Sequence, residues 1–141
     1  MWKTSYEERL ADWYHLRQVL EHQPLDQQAR LVNDWWFRAP IVNRVVVWDD
    51  PTKWPDPWEL LTNSGYCELA RALGIVYTLM ILENPAYTDL SIIATGNDNL
   101  VLINQGKYIL NWAPREVLNI DSTPFTVQDS INSTDLTSFL T

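Results

Sequence analysis

The sequence contains a single cysteine, Cys67. One thiol excludes an internal disulfide and a Cys-rich zinc site, so the chain fits a reducing compartment or has no redox role. Asp49, Asp50 and Asp56 lie close together in sequence, but they stand between prolines and lack the fixed spacing of a calcium-binding loop. We therefore predict no metal site.

Basic residues and glycine are also scarce. Ten Lys and Arg are outnumbered by eighteen Asp and Glu, which gives a formal net charge of −8 and a pI of about 4.5. Binding to nucleic acid or to an anionic membrane normally needs clustered positive charge, and here the basic residues are scattered singly. With four glycines, the chain has no P-loop or Gly-rich dinucleotide loop, and it has no HExxH motif. We expect no nucleic-acid partner, no membrane insertion and no cofactor.

Long apolar runs are absent as well. The longest, Gly74 to Leu82, is far shorter than the roughly 20 residues that a transmembrane helix needs. Glu7, Glu8 and Arg9 occupy the place where a signal peptide would have its apolar segment. The sequence predicts a soluble protein.

Tryptophan, by contrast, is abundant, with eight copies in 141 residues. A Trp ring buries a large area while its N–H still finds a partner, so Trp is common in cores, at interfaces and in sugar-binding sites. We expect most of these rings to lie in the core of one domain, since 46% of the residues are hydrophobic. The candidate binding residues are Trp35, Trp36, Trp48, Trp54, Phe125 and Phe139.

The first forty residues predict a helical hairpin. Ser5 and Glu8 have the spacing of a capping box before an amphipathic stretch, and Pro24 ends this first helix. A second helix is predicted from about Leu25 to Phe37, because the residue before Pro40 avoids the helical region.

The middle of the chain predicts short elements. The β-branched residues of Asn43–Trp48 indicate a short strand. Asp56 and Pro57 suit the N-cap and first position of a short helix. A Cys-bearing helix is predicted from about Tyr66 to Leu73, with Gly74 as its C-terminal stop.

The second half predicts an antiparallel sheet of about four to five strands, because apolar segments alternate with turn residues and no helix intervenes. The predicted strands are Ile75–Leu82, Leu90–Thr95, Asn99–Ile103 and Lys107–Trp112. Together with the helices they indicate an α+β fold. Residues 1–118 form the predicted domain. Residues 119–141, polar but with regular apolar side chains, predict an extended C-terminal arm that packs on this domain or on a partner.

One segment, SGYCELARALGI, carries potential chemistry. It places Cys67 in the first turn of the predicted helix, where unpaired N–H groups and the helix dipole favour a thiolate. A buried cysteine, however, more often acts as a small apolar side chain. Taken alone, the segment leaves both roles open.

The order of the elements resembles the transglutaminase-like branch of the papain-type fold. In that family the nucleophilic cysteine is followed by a histidine at the head of one strand and an aspartate after an aromatic residue on the next. The matching stretches here are GNDNLVLI and GKYILNW, within Gly65–Trp112. Asn99 stands where the family has its histidine, and Asn111 stands near the position of its aspartate. The resemblance implies the family's fold without a catalytic base, because Asn does not accept a proton at neutral pH.

Three functions fit these observations. The favoured one is a non-catalytic structural protein that contacts other proteins of a larger assembly. A first alternative is a cysteine hydrolase or acyltransferase, with Cys67 as nucleophile, His15 or His22 as base and Asn111 orienting that base. A second is a glycan-binding module built on rings of the proline-rich loop. Those rings are Trp48, Trp54 and Trp58.

The compact, acidic character of the chain and its arm look like the small virion proteins of tailed bacteriophages, which dock on a neighbour in the tail, baseplate or neck. This likeness implies a location in the virion if the chain is phage-encoded. Otherwise the expected location is the cytoplasm.

Overall fold

A computed structural model of the chain describes residues 2–41, 46–62, 66–96, 98–112, 116–118 and 126–140. Its helices are α1 (Tyr6–Leu20), α2 (Leu25–Phe37), α3 (Pro57–Thr62) and α4 (Glu68–Leu82). Its strands are β1 (Leu90–Ala94), β2 (Asn99–Ile103), β3 (Tyr108–Trp112), β4 (Glu116–Leu118) and β5 (Asp129–Asn132). Short 3-10 helices span Pro51–Lys53 and Ser133–Leu140. The predicted α+β class is confirmed.

Helices α1 and α2 form the predicted hairpin. The Ser5 hydroxyl caps α1 by accepting the N–H of Glu8, at 3.1 Å. The Gln28 side chain donates to the carbonyl oxygens of Leu20 and Gln23, at 2.7 and 3.1 Å. These two bonds tie α2 to the turn that precedes it and fix the angle of the hairpin.

Helix α3 begins where the sequence predicts, and local capping explains it. The N–H of Glu59 donates to the Asp56 carboxylate at 2.8 Å, and the N–H of Asp56 donates back to the Glu59 carboxylate at 3.2 Å. This reciprocal pair satisfies two N–H groups that a helix start leaves without partners.

Helix α4 shows that one prediction was wrong. The sequence predicts a helix that stops at Gly74 and a strand over Ile75–Leu82, but a single helix continues through Gly74 to Leu82. Eleven consecutive residues of α4 are buried, so it has no exposed polar stripe from which a helical period could be read. A Cβ added to Gly74 would lie 2.6 Å from ring atoms of Trp36. Glycine is needed here for close packing, not for termination.

The strand predicted over Asn43–Trp48 is a second correction. Residues 42–45 lie outside the described part of the chain, and residues 46–48 belong to no strand. The carbonyl oxygen of Val47 accepts the Trp54 indole N–H at 2.7 Å. The indole of Trp54 thus occupies a backbone acceptor that a neighbouring strand would otherwise use in a β-sheet.

The sheet has the order β4-β3-β2-β1-β5, and every neighbouring pair is antiparallel. Strands β1, β2 and β3 confirm three of the predicted segments to within a residue. The described part of the predicted arm packs on this domain: β5 pairs with β1, and the following 3-10 helix contributes the buried Leu136 to the core.

The core lies between the helices and one face of the sheet. On that face the sheet residues that join the helices in one apolar cluster are Leu90, Ile92, Val101, Ile103 and Leu110. The opposite face carries a smaller cluster of Ile93, Leu100, Leu102 and Ile109. None of the described helices is long and apolar enough to cross a membrane.

A polar group, here called the Thr78 cluster, lies inside the main core and comprises Trp13, Trp36, Gly74 and Thr78. The Thr78 hydroxyl accepts the indole N–H groups of Trp13 and Trp36, at 2.8 and 3.1 Å. It donates to the carbonyl oxygen of Gly74 at 2.7 Å. One donor and two acceptors are all that a hydroxyl offers, so its capacity is filled. The cluster joins α1, α2 and α4 without leaving a polar atom of Thr78 unused.

Candidate functional site

A cleft of about 520 Å³ opens at the N-terminal end of α4. Four parts of the described chain line it: Ile41 with residues 46–49, the start of α4, the connection between β1 and β2, and the start of β5. Four residues singled out from the sequence line this cleft, namely Cys67, Asn99, Trp48 and Asp49. Asn111 is hydrogen-bonded to two of the residues that line it. The structure thus brings the proposed nucleophile together with both asparagines.

Cys67 is the N-cap residue of α4, directly before the first turn in which the sequence placed it. Its side chain is 8% exposed and makes no capping hydrogen bond. The sulfur lies 3.7 Å from the carbonyl oxygen of Val46. The partner of the thiol is therefore a backbone acceptor and not a base.

The Asn99 side chain is held by an indole. Its Oδ1 atom accepts the Nε1–H of Trp48 at 2.8 Å. Its backbone oxygen accepts the Nδ2–H of Asn111 at 2.7 Å. Asn99, which the sequence resemblance sets in place of the family's histidine, is thus bonded through its side chain to the loop before α3 and through its backbone to strand β3.

Asn111 is the centre of a second buried group, here called the Asn111 cluster, with Asn33, Glu68, Arg71 and Asn99. It has a positive φ of 66°, which Asn tolerates better than most residues, and it lies where the pairing of β3 with β4 shifts register. Its Nδ2 atom donates to the carbonyl oxygens of Glu68 and Asn99, at 2.9 and 2.7 Å. Its own N–H donates to Oδ1 of Asn33 at 3.0 Å. The side chain of Asn111 thus connects α4 to β2 through two residues that line the cleft.

Arg71 completes this cluster from α4. Its Nε–H donates to Oδ1 of Asn111 at 2.5 Å, and its guanidinium lies 3.8 Å from the ring centroid of Phe37. The side chain is only 5% exposed, so the amide and the aromatic face compensate part of the cost of burying the charge. Asn111 Oδ1 thus accepts its hydrogen bond from a residue of α4.

Tyr66 lies next to Cys67 and is fully buried. Its hydroxyl donates to the carbonyl oxygen of Leu60, and its ring meets that of Trp36 edge to face at 6.0 Å. Burial raises the pKa of Tyr66 to about 12. The residue links the start of α4 to the aromatic core.

Neither histidine is brought to the cysteine. His15 and His22 are both exposed, one on α1 and the other in the turn after it, and neither lines the cleft. Among the described residues that line the cleft there is no imidazole to act as base.

Three of the predicted binding residues are in the core. Trp35, Trp36 and Trp54 are at most 4% exposed. Their indole N–H groups donate within the chain: Trp35 to Asp12 at 2.8 Å, Trp36 to Thr78 and Trp54 to Val47. These rings contact this chain, and the buried ring of Trp54 is not available to stack on a sugar.

The other aromatic candidates are more peripheral. Trp48 is half-buried at the cleft, edge to face with Trp54 at 5.2 Å. Trp58 is 39% exposed. Phe139 is half-buried, 6.3 Å from the ring of Tyr77. Phe125 lies outside the described residues.

The cleft has an acidic wall that sequence reasoning largely missed. Four of its described lining residues are Asp49, Glu68, Asp98 and Asp129, and none is Lys, Arg or His. Only Asp49 was noticed, as part of a rejected calcium motif. Glu68 could have been noticed beside Cys67. Asp98 and Asp129 carry no local signal, because sheet pairing alone brings them here.

Comparison with known proteins identifies the fold. No protein-family model and no curated protein matches the sequence. Among solved structures, LapG of Legionella pneumophila superposes with a TM-score of 0.73 at 16% identity, covering 93% of this chain and 76% of LapG. The calcium-bound form of LapG matches equally well, with 78% of its chain covered, as does the EGTA-treated form with 76%.

At 16% identity this likeness concerns the fold. It extends over 93% of this chain, well beyond the Gly65–Trp112 segment that carries the sequence resemblance. The chain therefore has the transglutaminase-like form of the papain-type fold.

Proposed function

We propose that this chain is a non-catalytic protein of a larger assembly, which retains the transglutaminase-like fold as a scaffold for contacts with other proteins. The observation that carries the proposal is the state of Asn99. Asn99 is the residue that the sequence resemblance sets in place of the family's histidine, and its amide is held by Trp48 at 2.8 Å. Acyl transfer by a thiol needs a base within hydrogen-bond reach, and an amide does not fill that role.

Two further observations support the absence of acyl-transfer chemistry. Cys67 contacts the carbonyl oxygen of Val46, which cannot take its proton. The oxygen of Asn111 accepts from the guanidinium of Arg71, so its described side-chain partner is a cation and not a base. Each group that would have to act is instead engaged in a structural hydrogen bond.

An activity assay with a matched variant tests the proposal. The wild-type chain and Cys67→Ala are incubated with a fluorogenic peptide library and, separately, with a glutamine-containing peptide and an amine. The assays are run between pH 6 and 9, with calcium and with EGTA, because LapG was solved in both states. We expect the two proteins to give the same background. Turnover that Cys67→Ala abolishes, with its fold unchanged by circular dichroism, would overturn the proposal.

A cysteine hydrolase or acyltransferase remains the second candidate, and one observation favours it. Cys67 lies at the start of a helix and lines a cleft in a LapG-like fold. The pH profile of Cys67 alkylation in the folded protein separates the two candidates. Fast labelling with an apparent pKa well below the free-thiol value of about 8.5 would favour the enzyme. Labelling that waits for unfolding would favour the scaffold.

We further propose that the assembly is the virion of a tailed bacteriophage. The support is the likeness in sequence character: a small, acidic chain whose C-terminal segment carries regular apolar residues. Quantitative mass spectrometry of purified particles tests this. A fixed copy number per particle is expected, and absence of the chain from particles of the virus that encodes it would refute the virion location.

A further inference from the structure

We infer that the cleft beside Cys67 holds an extended segment of a partner protein that carries lysine or arginine together with apolar side chains. This inference rests on the proposed function and specifies the chemistry of the partner. It concerns binding without cleavage, and it is carried by the charge, the apolar rim and the shape of the cleft.

The charge of the cleft selects a cation. Asp49, Glu68, Asp98 and Asp129 line it, and no described lining residue is basic. Among the described residues, none of the four carboxylates forms a side-chain hydrogen bond or an ion pair, whereas carboxylates elsewhere do, such as that of Asp12 with Trp35. Four like charges around one concave surface repel one another, and the low-dielectric wall strengthens their field. A cationic side chain relieves that repulsion.

The spacing of the carboxylates favours an elongated occupant over a metal ion. They come from four different stretches of chain, and among the described residues no three His, Cys, Asp or Glu are grouped closely enough to hold a metal. A cleft of about 520 Å³ is also larger than an ion requires. It falls within the range of roughly 300–1,000 Å³ that accommodates ligands the size of a few residues.

The rim of the cleft is apolar and exposed. Ile41 and Val47 line it with 51% and 41% of their surface exposed. These are two of the five large hydrophobic residues exposed in the described part of the chain, the others being Tyr14, Trp58 and Val127. Exposed apolar side chains beside a concave surface favour contact with another protein and are not suited to a small cation alone.

The backbone of the bound segment can also form hydrogen bonds with the start of α4. The N-cap of α4 makes no side-chain hydrogen bond to the helix, and its first residues, Glu68 and Leu69, line the cleft. The N–H groups of a first helical turn have no intrahelical acceptor. A peptide carbonyl can accept from them, which an amine or a metal ion cannot do.

Titration with three synthetic hexapeptides tests the inference. The first alternates Lys with Leu and Val, the second replaces Lys with Gln, and the third replaces Lys with Glu. Binding is followed by calorimetry and by the NMR signal of the Trp48 indole N–H, which belongs to a lining residue. The protein variants are Asp49→Asn/Asp98→Asn/Asp129→Asn and a control with the same change of net charge on exposed residues outside the cleft. That control is Glu7→Gln/Asp26→Asn/Asp135→Asn.

We expect the Lys peptide to bind, with an affinity that falls as salt rises, and the Glu peptide not to bind. The cleft variant should bind the Lys peptide about tenfold or more weakly than the wild-type chain, since three partly desolvated charge pairs are lost. The affinity of the control variant should stay within about twofold of the wild-type value. Equal weakening by both variants would mean attraction to the net charge alone and would overturn the inference. Tighter binding of the Gln or Glu peptide would overturn it as well.

The peptides also distinguish this inference from the proposed function. Mass spectrometry of the Lys peptide after incubation shows whether it is cleaved. Binding followed by cleavage would refute the non-catalytic role and leave the recognition of a cation standing. Absence of binding in a chain that is nevertheless a fixed component of a particle would refute the cleft site and leave the assembly role standing.

Discussion

Two polar clusters that contain residues of α4 differ in their access to the surface. The Thr78 cluster lies in the middle of α4 and is sealed by the rings of Trp13 and Trp36, so all its hydrogen bonds are internal. The Asn111 cluster lies at the start of α4 and includes Glu68 and Asn99, which line the cleft. The first fixes how three helices pack. The second connects the packing of α4 against β3 to the shape of a surface that other molecules can reach.

The two clusters differ in whether their hydrogen bonds support a surface. In the sealed cluster every polar group has its partner within the core, and a change there alters stability alone. In the open cluster the same kind of bonding holds the groups that line a cleft. We therefore expect changes in the Thr78 cluster to affect the free energy of unfolding only, and changes in the Asn111 cluster to affect both stability and the cleft.

The largest effect is expected from Gly74→Ala. The new Cβ would lie 2.6 Å from three atoms of the Trp36 ring, which also packs against Trp35 and bonds to Thr78. Overpacking of a rigid core should lower the free energy of unfolding by about 3 kcal/mol, even after the better helix propensity of Ala. Gly96→Ala is the matched control, because its Cβ would meet nothing closer than 3.8 Å. Equal stability of the two variants in urea unfolding would contradict the packing described for α4.

Thr78→Val is expected to have the next largest effect. Val matches the shape of Thr but offers no acceptor, so the indole N–H groups of Trp13 and Trp36 would be buried without partners. We expect a loss of roughly 2 kcal/mol. Thr78→Ser keeps the hydroxyl and should lose only about 1 kcal/mol, for the missing methyl group. The NMR signal of the Trp48 indole should be unchanged in both variants; a shift would show that the sealed cluster communicates with the cleft.

Asn111→Asp tests whether the Asn111 cluster is coupled to the cleft. Aspartate keeps the acceptor for Arg71 but turns a carboxylate oxygen toward the carbonyl oxygens of Glu68 and Asn99, which now receive N–H bonds. The variant should lose about 1–2 kcal/mol of stability. In contrast to Thr78→Val, it should also shift the Trp48 indole signal, because Asn99 joins the two residues. An unchanged indole signal would argue against coupling between this cluster and the cleft.

The smallest effect concerns Tyr66, which directly precedes Cys67 and packs against Trp36 of the Thr78 cluster. Burial raises its pKa to about 12, above the ordinary value of 10.0. Between pH 10 and 12 the unfolded chain has lost a proton that the folded chain keeps, so this contribution to stability is full below pH 10 and declines as the pH rises toward 12. Burial raises the pKa of Tyr77 and Tyr87 in the same direction.

Tyr66→Phe tests this contribution. Unfolding free energies measured from pH 8 to 11.5 should decline less steeply than in the wild-type chain, although the variant starts lower because Leu60 loses its hydroxyl partner. Tyr14→Phe, on an exposed position, is the control and should keep the wild-type slope. If the unfolding free energy of Tyr66→Phe declines with pH as steeply as that of the wild-type chain, the loss of stability at alkaline pH comes from Tyr77 and Tyr87 and not from Tyr66.

Local signals in the sequence predicted the structure well. The capping pairs Ser5–Glu8 and Asp56–Glu59 act over three residues, and both helices begin where these pairs place them. The turn residues around β2 delimit it with equal accuracy. Such features depend on neighbours in the chain, and these are visible in the sequence itself.

The errors come from contacts across the chain. Gly74 was interpreted as a stop because its true reason, the Trp36 ring, lies on another helix. For the same reason, the sequence predicted the residues of the site only in part. The resemblance placed Asn99 and Asn111, but nothing near them in sequence indicates that Trp48 and Arg71 would hold their amides. The acidic wall is likewise assembled by the sheet from distant segments.

The position of β5 has a consequence for how the protein is made. Gln128 and Asp129 line the cleft, and β5 pairs with β1, although both come after all the other strands in the chain. During synthesis from the N-terminus, the helices and the first four strands therefore leave the ribosome while one wall of the cleft is still missing. A nascent chain arrested at this stage would present β1 as an open strand edge, available to other chains. The cleft is thus completed only after the described helices α1 to α4 and the other four described strands have been made, which delays any encounter with a partner until most of the fold beneath it is in place.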